Sequence, residues 1–243
     1  MSAIGTATKA AKQQQASAPI SHLDSDVAKI FTHLQPVLIL TSYYLQFRFL
    51  VADPVTTLLT SAVPLSILQT AYVVICLPPT GSSNVASTPK PGQKRKAAKV
   101  DAGLGAKIVP AILSLVLAVF LGTPVLAIVL VLFGAPLTTH QPHTLLCAAH
   151  MSLLASIPLI YVHGVHSGRW REIVSLDSPL DEVFGAAVGT LLGAWVGAVP
   201  IPLDWDREWQ KWPVTIVTGA YVGFAVGKLV GGYLLRGKKI NMT

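Results

Sequence analysis

From residue 34 onward the chain reads as long apolar runs separated by short polar connections, and this spacing predicts helices that cross a membrane. Six runs approach or exceed the roughly 20 apolar residues that a helix needs to traverse the hydrocarbon core: 34–52, 55–77, 108–133, 143–165, 183–199 and 214–235. The first is interrupted by Arg48, and the fifth is short and rich in glycine. The pattern predicts an all-α, polytopic membrane protein with six transmembrane helices in a domain spanning 31–235. Residues 1–30, rich in Ala, Gln, Ser and Lys without an apolar core or a signal-peptide cleavage pattern, predict a disordered tail, and 236–243 a second short tail. Between the second and third runs, 78–107 is a Pro-, Gly-, Ser- and Lys-rich linker with no room for a folded domain.

In the last two runs glycine recurs at every fourth position: Gly185, Gly189, Gly193 and Gly197, then Gly219, Gly223, Gly227 and Gly231. In water each would cost a helix about 0.8–1.0 kcal/mol relative to alanine. Lipid supplies no hydrophobic drive between helices, so close backbone approach through small residues becomes a main source of packing energy. Four residues advance a helix by slightly more than one turn, and the stripe drifts by only about 40° per step. Each ladder therefore stays on one face. These glycines are helix-packing positions, either against each other or against a helix of a partner.

Composition narrows the class. Of the residues, 52% are apolar and only 12% charged, with mean hydropathy +0.58, against roughly 25% charged in soluble domains. A soluble single domain is excluded. Cys76 and Cys147 lie within apolar runs, where a free thiol behaves as a small hydrophobe, so they indicate no disulfide framework. The net charge of +7 does not point to nucleic acid, because the basic residues sit in the connections and not along one helix face.

Their placement sets orientation instead. With six spans and a cytosolic N-terminus, 14 of the 18 Lys and Arg residues fall on the cytosolic side, Arg207 and Lys211 on the far side, and Arg48 and Lys228 within spans. Cytosolic connections carry that excess, so both termini are predicted to be cytosolic. Pro64 and Pro124 lie deep enough in their runs to kink the helices.

The connection between the ladders, 200–213, places Trp205, Trp209 and Trp212 at spacings of four and three. On a short helix they share one face, as an interfacial aromatic belt does. Asp204, Asp206 and Glu208 alternate, which on a strand would align carboxylates for a metal, but helical spacing separates them. No metal site is expected.

The string from Gly193-Ala-Trp195 through Pro200-Ile-Pro-Leu-Asp-Trp-Asp-Arg207, Trp209-Gln210 and Trp212-Pro213, followed by the second ladder, resembles the signature of the phosphatidylinositol-glycan biosynthesis class F family. The resemblance runs from about His33 to Leu235. It implies a multi-pass protein of the endoplasmic reticulum membrane in glycosylphosphatidylinositol anchor biosynthesis. It also implies an accessory subunit that stabilises ethanolamine phosphate transferases, whose catalytic subunits supply the phosphoryl-transfer chemistry. No catalytic residue and no cofactor is then expected in this chain.

The residues allow few enzymatic readings. His143 and His150 share a helical face, and His163 and His166 lie three apart, but the two pairs differ in depth and do not collect into one ligand set. No nucleophile elbow or phosphate-binding loop is present. An autonomous enzyme using His140, His143 and Asp206 is the least favoured class. Arg48 and Lys228 remain, because a cation in hydrocarbon costs at least about 2.5–3.5 kcal/mol at the centre of a span and demands a partner. Asp53 is within snorkelling reach of Arg48. Lys228 is expected either to snorkel to headgroups or to meet a lipid phosphate or an acidic group on the transferase. The partner- or lipid-binding candidates are therefore Asp204, Trp205, Asp206, Arg207, Trp209, Gln210, Trp212, Arg48 and Lys228. The second functional reading is a lipid-handling protein that positions or translocates the phosphatidylethanolamine donor or the glycosylphosphatidylinositol precursor.

Overall fold

The computed structural model describes residues 18–82, 104–203 and 205–239, and the described residues are helical without a strand. Most of the expected tail, most of the basic linker, and Asp204 lie outside the described residues.

Helix α1 (Asp26–Ala52) begins eight residues before the expected start at 34, because Ser25 caps it by accepting the Ala28 N–H (3.1 Å) with Asp26 in the first turn. Asp53 alone joins it to α2 (Pro54–Cys76). The Asp53 carboxylate accepts from Thr56 N (3.2 Å), and Pro54 occupies the first helical turn, where a missing N–H is harmless. Helix α3 comprises Leu104–Leu117, a wide π turn at Ala118–Gly122, and Thr123–Leu132. Helix α4 is Gln141–His163, α5 the short Ser167–Val174, α6 Glu182–Gly197, and α7 Val214–Leu229 extended by a π turn at Val230–Leu234.

Four of these, α2, α3, α4 and α7, are long and apolar enough to cross a membrane; α6 is a shorter apolar helix. At 27 residues α1 is the longest single α-helical segment, yet it carries Lys29 and Arg48 and is not among the four. Around α4, whose middle is almost wholly buried, pack α2, α3, α6 and α7. Helix α3 is the most peripheral, with Val109, Ile112, Leu113 and Phe120 outward. So broad an exposed apolar surface fits a protein solvated by lipid.

Two prolines are absorbed by specific bonds. Pro124 has no N–H to give, and directly before it the α3 backbone widens so that Thr123 N bonds Ala118 O, five residues back. Gly122 leaves room there for Ser152 of α4, whose hydroxyl donates to the same carbonyl (2.7 Å). In α4, Pro158 deprives the Leu154 carbonyl of its helical donor. The Gln69 side chain of α2 donates to it instead (3.3 Å).

Residues 18–25, expected to belong to the disordered tail, form an ordered strap. Ile20 N donates to Asp181 Oδ2 (3.0 Å), Leu23 N to Cys76 O (2.9 Å), and Arg236 to Ile20 O and Ser21 Oγ. The strap ties together the ends of α2, α6 and α7.

Candidate functional site

The two glycine ladders face each other. A Cβ on Gly185 would stand 2.7 Å from Gly231 Cα, one on Gly189 2.7 Å from Gly227 Cα, and one on Gly193 2.8 Å from Gly223 Cα. The close approaches are reciprocal: Gly185 with Gly227, Gly189 with Gly223, and Gly193 with Gly219, each aimed at the other's carbonyl. Each step of four up α6 is thus a step of four down α7. At every rung the Cα–H that a side chain would replace points at a facing carbonyl, a weak hydrogen bond of about 0.5–1 kcal/mol. With both stripes consumed internally, the ladders present no small-residue face to a partner.

This contact brings Lys228 of α7 beside Glu182, the first residue of α6. Lys228 is 3% exposed and Glu182 5%, and Nζ lies 3.0 Å from Glu182 Oε1. Nζ also donates to Gln35 Oε1 of α1 and sits 3.7 Å from the centre of the Tyr72 ring, a cation–π contact. Tyr72 donates its hydroxyl to Glu182 Oε1 (3.2 Å), and His22 Nε2 of the strap lies 2.6 Å from Oε2. Gln35 donates onward to Gln69 Oε1 (3.0 Å), which continues to the Leu154 carbonyl exposed by Pro158. One polar chain therefore links the strap and helices α1, α2, α4, α6 and α7. The expectation that Lys228 snorkels to headgroups is corrected: its charge is neutralised inside the bundle. The carboxylate missing from the sequence reading was Glu182, adjacent to the fifth run's start and therefore counted as part of a connection.

A second buried station lies nearer the end that carries the 200–213 loop. His150 Nε2 donates to Leu58 O (2.8 Å), which leaves Nδ1 to accept from the Tyr221 hydroxyl (2.7 Å). Tyr221 stacks on Tyr43 with ring centres 4.4 Å apart. Thr218 gives its proton to Val214 O (2.7 Å) and so accepts from the Tyr43 hydroxyl (2.6 Å). His150 is thereby committed to helix packing and does not pair with His143, which stacks edge-on against His140 at 5.2 Å. Among the described residues no group of three His, Cys, Asp or Glu side chains is placed to hold a metal.

The loop differs from the short helix expected of it. Only Glu208–Gln210 form a single 3-10 turn. Trp205 is exposed and adjoins Trp209 at 5.8 Å, while Trp209 and Trp212 are both half-buried and pack against the core. Gln210 holds the loop closed: its Oε1 accepts from Arg207 N (2.9 Å), and its Nε2 donates to Pro200 O (2.8 Å) and Leu203 O (2.6 Å). Asp206 takes a left-handed conformation (φ 50°), Glu208 pairs with Lys211 (3.1 Å), and Asp206, Arg207 and Glu208 point outward. Arg48 is exposed near the same end of the bundle and makes no ion pair among the described residues. Asp53, its expected partner, is engaged in capping α2.

Gln35, Gln69, Tyr72 and Glu182 escaped the sequence reading. Two amides inside apolar runs were the available signal, because an amide in lipid requires a partner.

Residues 34–232 match the family described as "GPI biosynthesis protein family Pig-F". The chain is 48% identical to glycosylphosphatidylinositol anchor biosynthesis protein 11 of Aspergillus fumigatus, over 87% of this chain and 82% of that protein. It is 44% identical to the protein of that name in Neurospora crassa (91% and 80%) and 38% identical to that in Yarrowia lipolytica (93% and 92%). No solved structure matches.

Proposed function

From the premise that this chain belongs to the glycosylphosphatidylinositol biosynthesis protein family Pig-F, we propose that it is a non-catalytic, stabilising membrane subunit of the ethanolamine phosphate transferases that decorate the mannoses of the anchor precursor. It resides in the endoplasmic reticulum membrane as six spans with both termini cytosolic. Supporting six spans, α1 packs on α2 and α7, and α6 packs on α4 and α7. At 16 residues α6 extends only about 24 Å, and its pairing with α7 supplies the backbone contacts that carry it through a core of about 30 Å. The excess of Lys and Arg on one side supports the orientation.

The observation that carries the subunit reading is how the intramembrane polar groups are used. His150, Lys228, Glu182, Gln35 and Gln69 are all bonded to one another or to backbone. They build a scaffold that ties the helices together, each of these groups being committed to a structural bond. The surface for the partner is then the outward part of the loop, Trp205, Asp206 and Arg207, with the exposed Arg48 at the same end of the bundle.

Affinity purification of the full chain in mild detergent tests this. A transferase catalytic subunit co-purifies, and Arg48→Met together with Trp205→Ala lowers its recovery while the scaffold stays folded. Conversion of donor and acceptor lipids by the chain alone would refute the subunit reading.

A further inference from the structure

On the strap, Ser21 is exposed and its Oγ accepts from Arg236 Nη2 at 3.2 Å; the same nitrogen donates to Ile20 O at 3.3 Å. Arg236 is exposed as well and pairs with no carboxylate among the described residues. Its backbone is nevertheless fixed. Gly237 N donates to Leu180 O (2.7 Å) and Leu180 N to Lys238 O (2.8 Å), which clamps the turn after α7 to the segment before α6. A guanidinium on an anchored turn therefore stands over a serine oxygen on a segment that only a few bonds hold down. The acids around it are already engaged. Asp181 accepts from Ile20, Val183 and Phe184 N–H, Glu182 meets Lys228 and His22, and Asp24 pairs with Lys29 at 2.8 Å. The sequence adds a second observation. It reads Ser21-His22-Leu23-Asp24-Ser25-Asp26, with carboxylates three and five residues after the serine. Protein kinases discriminate by charge pattern, and a kinase whose groove is basic beyond the accepting hydroxyl matches this one. No helix or strand claims residues 18–23, so the peeled strap can lie extended in such a groove.

We propose that Ser21 is a phosphorylation site and that its phosphate, held by Arg236, locks the strap onto the ends of α2, α6 and α7. In the transfer, Ser21 Oγ bonds to the γ-phosphorus of ATP on an acidophilic protein kinase. The bond from that phosphorus to the bridging oxygen breaks, ADP leaves, and the hydroxyl proton passes to the catalytic carboxylate of the kinase. The product carries about −1.5 to −2 charge and three strong acceptor oxygens, so a neutral hydroxyl contact becomes charge-assisted hydrogen bonds to the guanidinium fork. Lys238, two residues beyond Arg236, adds to the positive field, while the like charge of Asp24 is offset by Lys29. The kinase acts on the peeled strap and the phosphate traps the seated one, which keeps His22 against Glu182. The inference rests on the cytosolic placement of this end, where ATP and kinases are found, and is independent of which protein the chain assembles with.

The full chain in lipid nanodiscs, where both faces are open, tests this with added casein kinase 2 and ATP. Tandem mass spectrometry finds the phosphate on Ser21, and Asp24→Asn lowers the labelling rate about tenfold. In the phosphorylated chain, hydrogen exchange at the Ile20 and Leu23 amides, both bonded in the seated strap, slows about tenfold relative to the unmodified chain. Arg236→Gln is labelled as readily, but phosphate then brings no slowing, an outcome that a general effect of added charge would not give. Absence of phosphate on Ser21, labelling indifferent to Asp24→Asn, or exchange that phosphate leaves unchanged or speeds overturns the site. Sealed microsomes with the kinase added outside read the orientation separately. Labelling in nanodiscs but not in microsomes overturns the cytosolic placement and the proposal with it, whereas failure in nanodiscs overturns the site and leaves the orientation standing.

Discussion

Replacing Gly189 with alanine sets two well-characterised effects of opposite sign against each other. Helix propensity favours alanine by about 0.8–1.0 kcal/mol. Packing opposes it, because the new Cβ would stand 2.7 Å from Gly227 Cα and 3.0 Å from Gly227 N. Carbon atoms prefer about 3.5–4.0 Å, so α6 and α7 must separate by roughly 1 Å along the ladder. A gap of that size forfeits a quarter to a half of each dispersion well of about 0.1–0.2 kcal/mol. It also lengthens the reciprocal Cα–H···O contacts, worth about 0.5–1 kcal/mol each, on the neighbouring rungs. Over three rungs the loss is about 2–4 kcal/mol, and the net is destabilisation of about 1–3 kcal/mol. Steric-trap or denaturant unfolding in bicelles measures it, with Gly105→Ala as control, since a Cβ there meets nothing within 4 Å and keeps the propensity gain. If Gly189→Ala stabilises the protein as the control does, the ladders are not in contact and the reasoning fails.

Further outcomes follow from the polar chain and the caps. Lys228→Met strands the Glu182 carboxylate and destabilises by about 3–5 kcal/mol, whereas Lys228→Met with Glu182→Gln recovers most of the loss; a double-mutant cycle on unfolding free energies reads the coupling. Gln69→Leu costs about 1–3 kcal/mol because the Leu154 carbonyl loses its donor, and the cost shrinks when Pro158→Ala restores a helical N–H to that carbonyl. Hydrogen bonds from Thr56 hold the Asp53 carboxyl below its ordinary value. Its contribution is therefore present above the unfolded pKa and is lost as pH falls through the folded pKa, below about pH 4. Asp53→Asn flattens that acid limb in a pH series of thermal unfolding, and an unchanged limb would discount the cap.

Much of this molecule is legible in one dimension. Apolar runs placed helices at all six expected positions, since run length and hydropathy report on the solvent a helix faces. Glycine periodicity marked the faces of α6 and α7 that pack closely, because only a stripe without side chains permits backbone contact. Composition also misled: 18–25 read as tail, yet backbone bonds to Asp181 and Cys76 order it. The three tryptophans read as a helix face, but Gln210 folds the loop onto carbonyls of Pro200 and Leu203.

The sequence by itself determined the class of protein, the location of its helices and the family signature in the loop, because each depends on local composition or on residues close in the chain. Only the tertiary structure decided that the ladders face each other, that Lys228 meets Glu182 across 46 positions of sequence, and that the Leu154 carbonyl left free by Pro158 is taken by Gln69. The physical reason is common to all three. A helix in lipid must satisfy each polar group and each small face somewhere, but which neighbour does so depends on how the helices are arranged around α4, and no pattern within a single helix encodes that arrangement.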